Sequence, residues 1–371
     1  MPASRWFSLG LAGVLVGLVM AVPASAEAVK FEIKGAGWGH GVGMSQWGAY
    51  GYAKRGRSHK QILDHYYRHT RVGRAKSRKL GVLLRSGVGS VRFSGATGAC
   101  GRNLDEGRQY RADRAGASVR LRSAGGEPIK DCGRELRARG GESIKLEGKG
   151  SYRGELVVRA RSSGGLMAIN DVNLEAYVQG VVPNEMPSEW PAKALRAQAV
   201  AARSYALATS VEGEAFDHYD DTRSQVYGGK SSETKATNSA VDRTKRQVVR
   251  HRRKVAATYF FSTSGGRTEN SEYGFDGGEP RPYLKSVKDP HDDASPHHRW
   301  KRTYTLDEVE DRLGGLVRGQ LRDIDVTKRG RSPRIVRARV EGSGGSTGVS
   351  GSTLQSRLNL RSTWAHFKKG G

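Results

Sequence analysis

The segment "VVPNEMPSEWPAKALRAQAVAARSYAL", residues 181–207, places one carboxylate, Glu185, between two prolines and directly ahead of an alanine-rich run. Proline has a fixed φ, and it disfavours helical geometry in the residue before it. Pro183 and Pro187 therefore predict a stiff, non-helical elbow around Glu185.

The neighbours of Glu185 favour its partial burial, since the apolar residues around it are Val181, Val182, Met186 and Trp190. Partial burial raises the pKa of a carboxylic acid, as a general acid working near neutral pH requires. The alternative is a surface glutamate in a proline turn, either solvated or accepting amide hydrogen bonds.

A long helix is predicted after this elbow. Pro191 suits its first turn, Ser188 can cap it, and the helical pattern continues to about Thr209. Small or apolar side chains that recur on one narrow face allow close packing: Leu195, Ala199, Ala202 and Ala206.

The first 26 residues have the layout of a secretory signal peptide. Arg5 precedes an apolar run from Phe7 to Val22, and a small-residue cleavage signal ends at Ala26. The alternative is an uncleaved anchor, although the run is short for a membrane-spanning helix. We expect cleavage after Ala26 and a secreted, cell-wall-associated protein, because no second long apolar stretch follows.

The chain is strongly basic, with 63 Lys and Arg against 37 Asp and Glu and a formal net charge of +26. In a cytosolic protein this charge would first indicate nucleic acid. An exported protein instead meets the anionic polymers of a cell envelope. The cations are also scattered and no nucleic-acid motif is recognisable, so we expect no nucleic-acid partner.

The pattern of elements predicts an α+β protein. Residues 27–72 begin with a short strand followed by two helices, residues 73–168 are short alternating strands, and residues 169–371 mix helix and strand. The middle part is predicted to be an antiparallel β-rich subdomain inserted in a mixed helix/strand core. The stretch at 341–353, rich in glycine and serine, is expected to be a flexible loop.

The β-rich part contains both cysteines, Cys100 and Cys132. An even number of cysteines in an exported chain favours a disulfide. A catalytic cysteine is the less favoured alternative.

Several long stretches resemble the family of stage II sporulation protein D and the amidase enhancer. They are "NLEAYVQGVVPNEMPSEWPAKALRAQAVAARSYAL" (173–207), "SQVYGG" (224–229), "FFSTSGGRTENSE" (260–272), "PYLKSVKDP" (282–290), "LQSRLNLRSTW" (354–364) and "GWGHGVGMSQWGAYGYAKRGRSHKQILDHYYRHT" (37–70). They are spread over nearly the whole chain that follows the predicted leader, so the resemblance is specific.

The resemblance implies a peptidoglycan lytic transglycosylase that cuts between N-acetylmuramic acid and N-acetylglucosamine. The family's catalytic acid matches Glu185, and no cofactor is implied. One carboxylate is enough because the sugar's own 6-hydroxyl displaces the leaving group and forms a 1,6-anhydro ring. The alternative is a wall-binding helper that presents the glycan to a cell-wall amidase without cutting it. The implied partners are therefore peptidoglycan strands and, for the helper, that amidase.

The stretch "GAGWGHGVGMSQ" (35–46) has glycine at every second position from 35 to 43, and this glycine-alternating segment is expected to line the groove. Six further residues match substrate-binding positions or lie in that segment: Arg203, Tyr283, Lys285, His40, Ser45 and Gln46. Arg203 could orient Glu185 or bind a muramic carboxylate or N-acetyl group, and its alternative role is a salt bridge to one of the nearby aspartates. The tyrosine could stack on a sugar face, and the lysine could meet the anionic strand. The glycine-alternating segment could instead be a tight packing loop.

Two departures from the family matter. Some relatives carry zinc ligands at positions that are Tyr219, Arg223 and Ser224 here, so we expect no metal. Short His/Asp runs near residues 218 and 291 favour solvated acidic loops over a metal site. In addition, the segment at 37–70 follows "LRSTW" in most relatives, which indicates a circular permutation.

Such a permutation is tolerated when the original termini lie close together at the surface. We therefore predict that residues 30–70 pack beside residues 354–366.

Overall fold

The structure, a computed structural model, describes residues 30–370. The predicted signal peptide lies outside the described residues. Among the residues that are described, no helix combines the length and the apolar character needed to span a bilayer.

The α-helices within residues 30–370 are α1 (Gln46–Lys54), α2 (His59–Tyr66), α3 (Leu174–Glu185), α4 (Ala192–Ala208), α5 (Lys235–Arg243), α6 (Ser271–Gly274), α7 (Leu306–Leu313) and α8 (Gly351–Arg357). Short 3₁₀ turns occur at Gly229–Ser232 and Gly314–Leu316.

The strands up to the long central helices are β1 (Lys30–Ala36), β2 (Met44–Ser45), β3 (Arg71–Arg74), β4 (Lys79–Val88), β5 (Ser90–Ala99), β6 (Arg102–Asn103), β7 (Gln109–Ala115), β8 (Ser118–Ser123), β9 (Pro128–Asp131), β10 (Glu135–Leu146), β11 (Gly150–Tyr152), β12 (Glu155–Ala160) and β13 (Leu166–Asn173). The later strands are β14 (His218–Tyr219), β15 (Gln247–His251), β16 (Lys254–Val255), β17 (Phe260–Phe261), β18 (Arg299–Thr305), β19 (Leu321–Arg329), β20 (Ile335–Gly342), β21 (Gly345–Ser350) and β22 (Ala365–Lys369).

The largest sheet has eleven strands, in the order β14-β4-β13-β12-β10-β5-β7-β8-β9, with β6 and β11 paired at its side. Its neighbours are antiparallel except for β14, which runs parallel to β4. Cys100 and Cys132 form a disulfide with a Cα–Cα distance of 5.4 Å. The predicted α+β class, with an antiparallel β-rich part that carries one disulfide, is confirmed.

Helix α4 lies between two hydrophobic cores. Ala199, Ala202 and Ala206 pack into the core that α3 shares with the large sheet. Leu195 and Ala201 instead face a second core, which is built with α1 and α2. The helix is therefore buried on most sides, and the alanines are what allow neighbours to approach it so closely.

A third core joins the beginning of the described chain to its end. Strand β1 lies between β18 and β22, antiparallel to both. The Ser362 hydroxyl donates to the Ala36 carbonyl at 2.7 Å, and the Gly39 N–H donates to the Arg361 carbonyl at 3.0 Å. The prediction that residues 30–70 pack beside 354–366 is confirmed, which is the proximity that a circular permutation requires.

The stretch at 341–353 is not a flexible loop, and that prediction was wrong. It contains the turn between β20 and β21 and the first residues of α8. Gly345 adopts φ +128, a conformation that favours glycine. The Ser350 hydroxyl accepts the Thr353 N–H at the start of α8. Glycine and serine therefore serve the turn and the helix cap here.

Candidate active site

Glu185 is the last residue of α3 and does not lie on a non-helical elbow. Pro183 is accommodated inside the helix, because α3 packs its buried face against the large sheet and this tertiary packing outweighs the local preference. Extended geometry begins one residue later, at Met186, with φ −134 and ψ 138. Only Pro187 has the predicted effect on its predecessor.

Three chain segments meet at the Glu185 carboxylate. The backbone N–H of Val226 donates to Oε1 at 3.2 Å. The side-chain amide of Gln46, the first residue of α1, faces Oε2 through its Nε2 atom at 3.5 Å. The carboxyl group is thus held in place by one backbone donor and one neutral amide.

The half-buried position of Glu185 raises the pKa of its carboxyl group. The cause is loss of hydration, which penalises the charged form, while the donors from Val226 and Gln46 act in the opposite direction. Burial outweighs the donors. The acid therefore holds its proton to a higher pH than a solvated glutamate, as a proton donor near neutral pH requires.

An aromatic group is formed by residues that are close in sequence to Gln46 and Glu185. The Trp47 and Tyr50 rings on α1 meet the Trp190 ring at centroid distances of 4.8 and 5.0 Å. All three side chains are partly exposed. Half-exposed rings of this kind offer apolar faces against which a sugar can pack.

Trp190 was predicted to lie near Glu185, whereas Trp47 and Tyr50 were not predicted as site residues. Their i, i+3 spacing directly after Gln46 was the available signal, because such residues share one face of a helix.

Arg203 does not line a groove, and its position contradicts the predicted role in substrate binding. Its side chain is fully buried, and its Nη2 atom donates to the Glu175 carboxylate at 2.7 Å. It also donates to the Gln247 and Val241 carbonyls. Arg203 therefore has its alternative role, a salt bridge, and the partner is the glutamate Glu175.

Tyr283 and Lys285 are not brought to Glu185 by any hydrogen bond within residues 30–370. The Tyr283 ring is buried, and its hydroxyl accepts from the Ala257 N–H and from Arg281. The predicted stacking of this ring on a sugar is therefore not supported by its position. The Lys285 ammonium is partly exposed and pairs with Glu272 at 2.8 Å.

The glycine-alternating segment contributes Gln46 to the site, whereas Ser45 caps α1 and His40 lies in the lining of a separate cleft between the α6 region and the sheet of β19, β20 and β21. The Ser45 hydroxyl is buried and caps α1 by accepting the Gly48 N–H. The His40 ring contacts the Phe260 carbonyl through Nε2 and the Val42 N–H through Nδ1. Burial lowers the pKa of His40 to about 4.

The residues at the zinc positions of some relatives do not fit a metal. Arg223 pairs with Asp221 at 2.7 Å and lies 3.7 Å from the centroid of the Tyr219 ring. The Ser224 hydroxyl accepts a hydrogen bond from the Tyr219 N–H and forms no ligand set with the other two residues. Across the described part of the chain, no group of three or more His, Cys, Asp or Glu side chains is arranged to hold a metal.

Comparison with known proteins finds a family similarity in the part of the chain that contains Glu185. The sequence profile described as "Stage II sporulation protein" matches residues 162–251, which include Glu185 and Val226. The chain is similar to the family of stage II sporulation protein D and the amidase enhancer.

Individual members of the family match over different lengths. Stage II sporulation protein D of Bacillus amyloliquefaciens is 33% identical over 221 residues, which cover 55% of this chain and 62% of that protein. The amidase enhancer of Bacillus subtilis is 36% identical over 136 residues, covering 36% of this chain and 17% of that protein.

An uncharacterized protein of Brachyspira hyodysenteriae is 42% identical over 125 residues, which cover 33% of each chain. The chain thus spans less than two thirds of the length of these relatives.

Proposed function

We propose that this chain is an exported lytic transglycosylase that cleaves the glycan strands of peptidoglycan and leaves 1,6-anhydro-muramyl ends. The observation that carries the proposal is the Glu185 carboxyl group. It is half-buried, its pKa is raised by burial, and it lies in the segment that the family profile matches.

In the proposed reaction, protonated Glu185 donates its proton to the glycosidic oxygen as the bond from that oxygen to C1 of the muramyl sugar breaks. The 6-hydroxyl of the same sugar then attacks C1, and the Glu185 carboxylate takes the hydroxyl proton. No water is consumed, and the carboxyl group returns to its starting state. Ordinary glycosidases use a second carboxylate to help a nucleophile, and an internal hydroxyl makes that group unnecessary.

The partners of Glu185 suit both halves of this cycle. The Val226 N–H and the Gln46 amide can stabilise the carboxylate that forms when the proton leaves. Neither donor carries a full charge, so neither prevents the acid from regaining its proton. The aromatic group of Trp47, Tyr50 and Trp190 would hold a sugar ring close to the acid.

The charge of the chain supports an anionic polymer as substrate. The formal net charge is +26, and peptidoglycan carries carboxylates on its muramyl sugars and stem peptides. Long-range attraction of this kind raises the rate of encounter with the polymer.

A second candidate function is a non-catalytic helper that binds the wall and increases the activity of a cell-wall amidase. The relative named amidase enhancer favours it. The two functions share a binding surface and differ in whether Glu185 performs chemistry, so one substitution separates them.

The test is incubation of the purified chain with intact and with peptide-stripped peptidoglycan, followed by mass spectrometry of the soluble sugars. We expect 1,6-anhydro-muramyl products from the wild type and none from Glu185→Gln. Glu189→Gln is the matched control, because Glu189 is an exposed acid in the same segment. If neither substrate gives products while both proteins still bind the wall, the transglycosylase proposal fails and the helper is favoured.

A further inference from the structure

A cleft of about 960 Å³ lies between the α6 region and the sheet of β19, β20 and β21. Its volume is in the range of sites that hold small ligands or segments of a polymer. Its lining includes Tyr273 and Phe275 on one side and Lys328 and Arg337 on the other.

Two cations stand side by side in this lining. Lys328 on β19 and Arg337 on β20 are register partners in the antiparallel pair. Like charges in such positions destabilise a sheet. Within residues 30–370, neither side chain has a carboxylate within 4 Å, so this repulsion is not offset by an ion pair inside the described chain.

The neighbouring pair on the same two strands shows the usual arrangement. Asp325 and Arg339 are also register partners, and their side chains form an ion pair at 3.0 Å. The sheet thus pairs opposite charges at one position and leaves two positive charges together at the next.

The facing wall of the cleft carries two acids, Glu272 and Asp276, whose hydrogen-bond partners are groups other than the two cations of the sheet. Glu272 accepts from the Lys285 ammonium at 2.8 Å, and Asp276 accepts from the hydroxyls of Ser350 and Ser352. Neither acid forms an ion pair with Lys328 or Arg337 within residues 30–370, so the positive charge on the sheet side is available for a ligand.

An aromatic ring adjoins the two cations. The Lys328 ammonium lies 5.1 Å from the centroid of the partly exposed Tyr273 ring. A ring face next to a pair of cations is suited to a sugar that carries an acidic group. A neutral sugar would leave the cations unpaired, and a small inorganic anion would not use the ring or the length of the cleft.

We propose that this cleft binds an anionic sugar-containing polymer, with Tyr273 against a sugar ring and with Lys328 and Arg337 on a carboxylate or phosphodiester group. The choice of polymer rests on the proposed function, because both muramyl carboxylates and phosphodiester-linked polymers occur in a cell wall. The binding itself does not depend on chemistry at Glu185. Residues that contact Glu185 are absent from the described lining of the cleft.

The test measures binding by the full chain carrying Glu185→Gln, so that strands are not cut. The probes are peptide-free glycan strands, glucosylated poly(glycerol phosphate) and a neutral chitin oligosaccharide, each in isothermal titration calorimetry at fixed ionic strength. Lys328→Gln/Arg337→Gln should weaken binding of at least one anionic polymer about tenfold or more and leave the weak binding of chitin unchanged. The anionic probe that responds identifies the acidic group.

The control is Arg134→Gln/Lys145→Gln, which removes the same charge from exposed positions on the β-rich part. Equal losses in the two double variants would show that only net charge matters and would overturn the proposal, as would no loss in either. Circular dichroism checks that both variants fold. Because the background cannot cut, the result is independent of whether the wild type is a transglycosylase.

Discussion

Gln46 and Glu185 lie 139 positions apart in the chain, and the Gln46 amide nitrogen lies 3.5 Å from Oε2 of Glu185. This contact joins the segment at the beginning of the described chain to the acid at the end of α3. The distance is at the long limit of a hydrogen bond, so the amide assists the acid weakly in the absence of substrate.

The Gln46 contact predicts a shift in the pH dependence of glycan cleavage. Gln46→Ala removes a donor that lowers the pKa of Glu185, so the alkaline limb of the pH profile of kcat/KM should move to higher pH. We expect a loss of about three- to tenfold in kcat/KM at neutral pH, the range of one hydrogen bond. Gln46→Glu should move the limb further, because a second carboxylate disfavours ionisation of the first.

A matched control is Gln109→Ala. The Gln109 amide donates to Glu147 at 3.0 Å on the exposed surface of the large sheet, so its loss should leave the profile unchanged. An unshifted alkaline limb in both Gln46 variants would show that this side chain does not tune the acid.

Burial of Glu185 predicts that Glu185→Gln stabilises the fold at neutral pH. The pKa of Glu185 is raised on folding, so its contribution to stability is fully present below the pKa of the unfolded chain and is lost as pH rises through the folded value. Urea unfolding should therefore show a more stable variant at pH 8 and no gain at pH 4. A variant less stable than the wild type at pH 8 would mean that the carboxylate is better solvated than its position indicates.

The sequence allowed correct predictions where local chemistry and core packing agree. The alanines of α4 occupy buried positions as predicted, and the alternating strands form an antiparallel sheet with the disulfide in place. The contact between the two ends of the chain was also predicted, because the resemblance places segments 37–70 and 354–364 next to each other in sequence in most relatives.

Where the sequence misled, long-range packing decided the outcome. Pro183 was expected to break the helix, but the buried face of α3 keeps the chain helical to Glu185. Arg203 was expected in a groove, and its partner Glu175 lies 28 positions earlier on another helix. No spacing rule shows that two such helices face each other. Burial of either side chain can be judged only from the fold.

The buried ion pair of Arg203 predicts a stability effect in place of a binding effect. Arg203→Met leaves the Glu175 carboxylate without its partner and should lower the free energy of unfolding by about 3–5 kcal/mol, measured by urea denaturation. Arg223→Met removes an exposed pair with Asp221 and should leave the free energy of unfolding nearly unchanged. If Arg203→Met leaves the free energy of unfolding unchanged and raises the KM for glycan tenfold, Arg203 binds substrate in a groove as first predicted.

Asp289 predicts a second pH-dependent effect on stability. Its carboxyl group is buried, with Oδ1 accepting from the Tyr66 hydroxyl at 2.7 Å, while Oδ2 has no hydrogen-bond partner among the described residues. Loss of hydration and the nearby charge of Asp292 raise the pKa of Asp289 to about 7, against the lowering effect of the Tyr66 donor.

Because this pKa is raised on folding, the wild type should lose stability as pH increases from about 4 to 7. Asp289→Asn removes that loss and keeps an oxygen for the Tyr66 hydroxyl. Its free energy of unfolding should exceed that of the wild type by about 2–4 kcal/mol at pH 8 and match it near pH 4, since one pKa unit corresponds to about 1.4 kcal/mol. The exposed Asp293→Asn is the control. If the free energy of unfolding rises by the same amount at every pH, the cause is packing and not the buried charge.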